Sequence, residues 1–484
     1  MLKKNVAFLL AVLTLCGTAA CSSGGNKESG TAQTAADTAT AAAETESVLV
    51  KDNLPAIDMG GAKITFLVRE EEKGEFFAEA SGDIIDDEVY KRNLKTEERF
   101  KCTMDYSIHP GAWASQATYK ELIRSAVTAG DDCYTAVTGQ SNIVQPLNVE
   151  GMYINLLDSQ YLDLEQPYWL ASYTEGMNLN GEVCTVCGDI SLTTFSDANV
   201  IFFNKKVIED NNLPYPYENV LDGTWTLDYF LGLCETVSKD LNGDGTLDIA
   251  DRIGYCAESN FVQPFFSSCG FHYTDVDKST GQMVLLQPSE SLIATADKMN
   301  EFCHGKFFTQ PSAYEKASDK MGDAFMGNRL LFLGLMLGNI KSFREMEVDF
   351  GILPFPKLNE EQDFYRTTIL RKYTVTAIPK SSGAPEYAAA VMESMACDGC
   401  NYIIPTYYEI ALTGKYFRDE DSREMLDIIK DSLYLEFVDL YYNDVKTFSD
   451  FFANYVLGSG YGTFMSTFKS REPSIVECLK NLYK

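Results

Sequence analysis

Residues 63 to 139 constrain this chain more than any other stretch, because apolar strands and amphipathic helices alternate there with short links. Ile64–Val68 is a short, mostly apolar run and reads as a strand. Asp83–Phe100 reads as a helix. Ile84, Ile85, Val89 and Leu94 form its apolar stripe, and Asp86, Asp87 and Glu88 lie near the positive end of the helix dipole. Cys102–Ile108 alternates apolar and polar side chains as a second strand. Tyr119–Thr128 is an amphipathic helix stopped by Ala129 and Gly130, and Tyr134–Thr138 is a third strand ended by Gly139. A βαβαβ order with short links implies a parallel sheet with right-handed crossovers. Ligands of such sheets bind beyond the carboxyl ends of the strands, here near Arg69, His109 and Gln140.

The same alternation continues. Val200–Phe203 reads as a strand running into Asn204, and Thr226–Ser238 as a helix with Thr226 as its N-cap. Phe325–Leu337, Phe350–Leu353 and Tyr373–Ile378 read as strands. Glu386–Ala396, Ser422–Ser432 and the last dozen residues read as helices. The 484 residues exceed what one hydrophobic core accommodates, roughly 250–300 residues, so two lobes are expected.

The N-terminus is read as a targeting signal. Lys3 and Lys4 precede the apolar run Val6–Leu15, which is too short to span a bilayer. Gly17–Ala20 and then Cys21 resemble a bacterial lipoprotein box, with Thr18 in place of the usual Leu, so residues 1–20 are a signal peptide and Cys21 carries lipid. The Ser-, Gly-, Thr-, Ala- and Glu-rich segment that follows has too few large apolar side chains to offset chain entropy. Residues 21–60 are assigned to a disordered tether. The net charge of −30, from 40 basic and 70 acidic residues, argues against nucleic acid as a partner, because phosphates would be repelled.

Several phrases together resemble the extracellular solute-binding proteins, family 1, of ABC importers, which include the maltose-binding type. They are Gly82–Asn93 with Glu97–Phe100, Ala129–Tyr134, Gly188–Ser191 leading to Phe202–Lys205, Asp222–Thr226, Phe350–Lys357 and Ile378–Lys380. The resemblance implies an α/β, type 2 periplasmic-binding-protein fold: two lobes, a central ligand cleft and hinge crossovers near Gly188–Thr193 and Leu370–Tyr373. Residues 61–189 and 372–404 would form lobe 1, residues 190–371 lobe 2, and residues 405–484 a helical region packing on both. It further implies a monomeric, lipid-anchored receptor that delivers a small solute, a sugar above all, to ABC permease subunits, without catalysis.

Sugar sites pair aromatic faces with polar groups that fix hydroxyls. Cleft candidates at the strand ends are Arg69, Glu70, Trp113 and Gln140, and beside the crossovers Ser196, Asp197 and Arg371. Trp225 begins a helix of the second lobe, where packing is the stronger reading. Tyr407 and Tyr408 stand where maltose-type receptors place cleft aromatics. Asp240, Asn242, Asp244, Thr246, Asp248 and Asp251 have the spacing of a calcium loop, with Asp251 where Glu is usual, and a structural calcium is expected. Of 13 cysteines, two fall within residues 1–21. The CxxC pairs Cys184/Cys187 and Cys397/Cys400 read as buried thiols or a local disulfide rather than as zinc ligands. Three dispersed histidines and the lack of a nucleophile elbow or zinc-protease helix speak against an enzyme. A secreted glycan-active enzyme and a surface adhesin are the alternatives.

Overall fold

The structure is a computed structural model that describes residues 49–245, 247, 250–310, 320–413, 421–459 and 462–483. Cys21 and the proposed signal and lipid site lie outside the described residues, as do Thr246 and Asp248.

Strands β1 (Lys63–Arg69), β2 (Thr103–His109), β3 (Ala136–Gln140) and β4 (Thr185–Val186) come first. Then follow β5 (Asn199–Asn204), β6 (Ile253–Cys256), β7 (Thr274–Val276), β8 (Met283–Leu285), β9 (Phe308–Thr309), β10 (Leu330–Met336) and β11 (Phe350–Leu353). Strands β12 (Thr367–Thr368), β13 (Thr374–Ala377) and β14 (Leu433–Tyr434) complete the series. The first five-stranded sheet has the order β2-β1-β3-β13-β4, and the second β11-β5-β10-β6-β9. β1 pairs in parallel with β2 and β3, while the late strand β13 inserts antiparallel between β3 and β4. The chain therefore leaves the first lobe after β4 and returns to it at β13.

Local chemistry explains the elements. The helix Ile84–Phe100 is capped by Asp83, whose carboxylate accepts from the Ile85 and Asp86 N–H, and Lys101 ends it in the left-handed conformation. Along β1, Ile64, Phe66 and Val68 face a core shared with the helix Pro385–Asp398, while Leu67 packs on Tyr119 and Ile123 of the helix Gln116–Ala129. Both faces are covered, as a parallel sheet requires. The expected strand Phe325–Leu337 is two elements: the helix Lys320–Met326 and β10, separated by a turn in which Asn328 takes positive φ.

The tether expected to reach residue 60 ends earlier. Residues from Leu49 onward lie on the first lobe: Val50 exchanges hydrogen bonds with Asn401, Asp52 pairs with Arg99 at 2.6 Å, and Met59 is buried. Leu54, Ile57 and Met59, beyond the Ser- and Thr-rich stretch whose composition argues for a tether, supply the apolar surface.

The C-terminal region touches both lobes. The helix Phe437–Leu440 packs on the helix Ala171–Met177, and the helices Phe451–Leu457 and Phe464–Asn481 pack on Glu290–Cys303. Among the described residues no helix is long and apolar enough to cross a membrane.

Candidate functional site

The two sheets are joined by segments that run side by side. Ala198 forms an antiparallel bridge with Ile369, and the Leu370 N–H donates to the Asp197 carbonyl at 2.9 Å. A buried polar cluster fastens both segments to the first lobe. The Glu75 carboxylate accepts from the Thr193 N–H and hydroxyl, both at 2.7 Å, from the Ser191 hydroxyl and from the Thr374 hydroxyl. Arg69 lies 4.0 Å from Glu75 and donates to the Lys372 carbonyl at 2.8 Å and to the Thr374 hydroxyl at 2.9 Å. Arg92 spans from the Glu75 carbonyl to the Ile190 carbonyl; burial pulls its pKa down to about 10.

Two compartments meet at Lys372, which lines both. One, of about 420 Å³, is lined by Trp113, Gln140 and Asn142 of the first lobe, Asn260 of the second, the crossover residues Leu370 and Arg371, and Tyr442, Asn443 and Thr447 of the C-terminal region. Trp113 is 52% exposed. Its loop is pinned over the end of β1, because the Gly111 and Ala112 N–H donate to the Glu71 carboxylate at 3.0 Å. Burial opposes the charge on Glu71, but these donors hold its pKa below the usual carboxylate value. Gly111 is required there, since a Cβ would lie 2.6 Å from the Arg69 Cβ.

The second compartment, of about 520 Å³, lies among Glu70–Glu75 of the first lobe, Asp189–Asp197 of the first crossover and Met336–Lys341 of the second lobe.

No sequence-family model matches the chain, and no curated relative matches it in sequence. Solved structures do match. A sugar transporter from Rhizobium etli in an open conformation is 14% identical, with a TM-score of 0.58, covering 87% of this chain and 98% of that one. An ABC substrate-binding protein from Listeria monocytogenes, in complex with cycloalternan, is 12% identical, with a TM-score of 0.54, covering 87% and 99%. UgpB from Mycobacterium tuberculosis, in complex with glycerophosphocholine, is 15% identical, with a TM-score of 0.54, covering 88% and 100%. The chain has the type 2 periplasmic-binding-protein fold. The proteins matched are binding and transport proteins, and their named ligands differ in chemistry, so the periplasmic-binding-protein fold alone leaves the ligand to the site.

The residues singled out in the sequence do not gather in one place. Trp113, Gln140 and Arg371 meet in the first compartment. Glu70, Ser196, Asp197 and Tyr407 line the second. Arg69 is buried beneath both, and its donors go to the crossover rather than to a ligand. Trp225 is corrected: it is 0% exposed, its indole N–H donates to the Pro354 carbonyl at 2.9 Å, and it packs on Phe230 and Phe332 in the second-lobe core. Tyr408 is also corrected, because its ring stacks on Phe195 at 5.1 Å and its hydroxyl donates to the Leu426 carbonyl. Arg371 reaches its compartment, but its guanidinium is held by Asp439 at 2.8 Å and Asp450 at 2.7 Å. Asn142, Asn260, Lys372, Tyr442 and Asn443 went unnoticed, since no local pattern marks them.

In the Asp240–Asp251 loop, Asp240 accepts from the Gly243 and Gly245 N–H at 2.6 and 2.8 Å, and the fully buried Asp251 accepts from the Leu241 N–H at 2.8 Å. Among the described residues no three His, Cys, Asp or Glu side chains gather around one point, and Thr246 and Asp248 of the loop lie outside those residues. The 11 cysteines among the described residues form no disulfide with one another. Cys187 lies wholly inside, and burial pushes its thiol up to about 12.

Proposed function

We propose that this chain is the extracytoplasmic substrate-binding protein of an ABC importer. It takes a neutral sugar or oligosaccharide in the compartment at Trp113 and Tyr442, carries out no chemistry on it, and hands it to the permease. One observation carries the reading: the exposed Trp113 ring, the half-buried Tyr442 ring and the carboxamides of Gln140, Asn142, Asn260 and Asn443 line one space walled by both lobes. Aromatic faces stack on the apolar side of a pyranose, and carboxamides both donate to and accept from hydroxyls. The glycan ligand named for the Listeria protein of the same fold supports the reading. We further propose that Cys21 carries a lipid anchor, that the receptor works as a monomer without nucleic acid, and that the oxygen-rich Asp240–Asp251 loop takes a structural calcium.

Calorimetry and thermal unfolding across neutral mono- and oligosaccharides test the central reading. A ligand of the folded state raises the melting temperature through RT ln(1 + [L]/Kd), and that ligand is recovered unchanged. Hydrolysis of the bound sugar would replace this reading with a glycan-active enzyme. Avid binding to polymer or cell surface, without any small-molecule response, would replace it with an adhesin. For the loop, millimolar calcium raises the melting temperature relative to chelator, and an unchanged value removes the metal from the account.

A further inference from the structure

The compartment on the Glu70 side of Lys372 has a different chemistry. Of the seven carboxylates that line it, Glu70 is exposed, Asp86 accepts from the Ser81 hydroxyl, and three more already have partners. Glu71 receives the Gly111 and Ala112 N–H, Glu75 receives the crossover hydroxyls, and Asp189 faces Lys430 at 3.3 Å. Two do not. Glu72 is half-buried and makes no hydrogen bond or ion pair among the described residues. Asp197 is 4% exposed; Lys372 stands 3.6 Å from its Oδ1, and its Oδ2 is buried without a hydrogen-bond partner among the described residues. Burial comes first in pushing Asp197 up to about 7, and Glu72 and Glu75 add to the repulsion it feels. Burial, then Glu75, likewise raises Glu72. The other lysines of the wall, Lys73 and Lys341, are solvent-exposed, and Arg92 is committed to backbone carbonyls.

An unpaired carboxylate oxygen in such a place costs free energy until a positive donor reaches it. Among the described residues no three His, Cys, Asp or Glu side chains gather to hold a metal ion, and a volume of about 520 Å³ far exceeds one ion. The rest of the wall is mixed, and Ile85, Val89, Ile190, Leu192, Met336 and Ile403 give it an aliphatic part. Carboxylates and aliphatic side chains in one compartment match an amine on a short hydrocarbon body.

We propose that this compartment is a second binding site, for a small organic cation whose ammonium group donates to Asp197 Oδ2 and to Glu72 while its methylenes lie on the apolar wall. The site is walled by Glu70–Glu75 of the first lobe and Met336–Lys341 of the second, so the bound cation touches both lobes and favours the arrangement in which they are close. It is independent of the sugar reading, whose aromatic compartment shares only Lys372 with it.

The test is calorimetry on the full chain with putrescine, n-butylamine and, as a neutral isostere, butanediol. Saturable binding of an amine, absent for the diol, is the expected result. Asp197→Asn weakens amine binding about tenfold or more. Glu72→Gln, at a half-exposed position where folding is insensitive, weakens it several-fold. Trp113→Ala leaves amine binding unchanged while impairing sugar binding, which separates the two sites. Equal binding of amine and diol, undiminished amine binding in both carboxylate variants, or no saturable binding of either amine up to about 10 mM overturns the proposal.

Discussion

Removing the Glu75 carboxylate should damage the molecule far more than its place in the run Glu70-Glu71-Glu72-Lys73-Gly74-Glu75 suggests. Glu75→Ala strips an acceptor from the Thr193 N–H at 2.7 Å and from three hydroxyls, and leaves Arg69 without the anion 4.0 Å away. The hydroxyls can re-pair, since Ser191 lies 2.8 Å and Thr374 3.2 Å from the Thr193 hydroxyl. The Thr193 N–H and the Arg69 charge cannot. A buried donor left unpaired costs about 1–3 kcal/mol. The gross attraction of two charges at this separation is about 4 kcal/mol at an effective dielectric of 20, before desolvation is subtracted. Together these place the loss near 3–5 kcal/mol, the range for breaking a buried pair from one side. Glu75→Gln keeps one carbonyl acceptor and should lose about half as much. Urea unfolding followed by far-UV circular dichroism measures both. A loss under about 1 kcal/mol for the alanine variant would refute the view that this cluster fastens the crossovers.

Three further outcomes follow from other parts of the molecule. Burial, then the neighbouring Asp439, pushes the Glu436 carboxyl up to about 8 although the Tyr273 and Val438 N–H donate to it. On unfolding it returns toward 4.5. The unfolded chain then sheds that proton first, so the contribution of this group to stability is greatest in acid and falls as pH rises from 4.5 toward about 8, by up to about 1.4 kcal/mol per pH unit. Glu436→Gln should flatten this part of the melting-temperature profile, and an identical slope in both proteins would discount it. Gly399→Ala would place a Cβ 1.8 Å from the Asp189 carbonyl oxygen, where the helix after Pro385–Asp398 meets the first crossover; a loss of about 3 kcal/mol in urea unfolding is expected. Trp113→Ala removes a half-exposed face and should weaken sugar binding by about 2 kcal/mol, roughly thirtyfold by calorimetry, with the melting temperature of the free protein unchanged.

What was legible in the sequence was local. Strand and helix periods depend on neighbours within a few residues, so β1, β11 and the helix after Asp83 were found to within about two residues. The capping of the Leu227–Val237 helix by Thr226 was also visible, and its hydroxyl does accept from the Tyr229 N–H. The Phe325–Leu337 stretch misled because a helix end and a buried strand are equally apolar. The site was illegible for a different reason. Glu75 sits in a polar run that reads as a solvated surface, and Ser191, Thr193 and Thr374, more than a hundred residues away, make it internal. Asn260 and Tyr442 carry no motif; they become neighbours because β13 returns the chain to the first sheet and the C-terminal region then lies against the crossover.

Arg371 shows how that arrangement can set a binding wall without touching a ligand. Its guanidinium donates to Asp439 at 2.8 Å and Asp450 at 2.7 Å and lies 4.1 Å from the centre of the Tyr442 ring, while the Tyr442 hydroxyl donates to Asp450 at 2.6 Å. Burial works against the charge, but the two carboxylates hold it firmly protonated. On its other side, the Arg371 carbonyl accepts from the Ser141 hydroxyl just beyond β3. One residue of the second crossover thus ties the first lobe to the C-terminal segment and fixes the aromatic face of the compartment. Arg371→Lys keeps the charge, but an ammonium cannot bridge two carboxylates and stack on a ring at once. The variant should fold, melt a few degrees lower and bind sugar about tenfold more weakly. Restoring neither contact, Arg371→Met leaves two carboxylates unpaired and should lose stability as well. Unchanged sugar affinity in the lysine variant would mean that Tyr442 holds its place without the guanidinium, and that the wall of the compartment is set by the C-terminal segment alone.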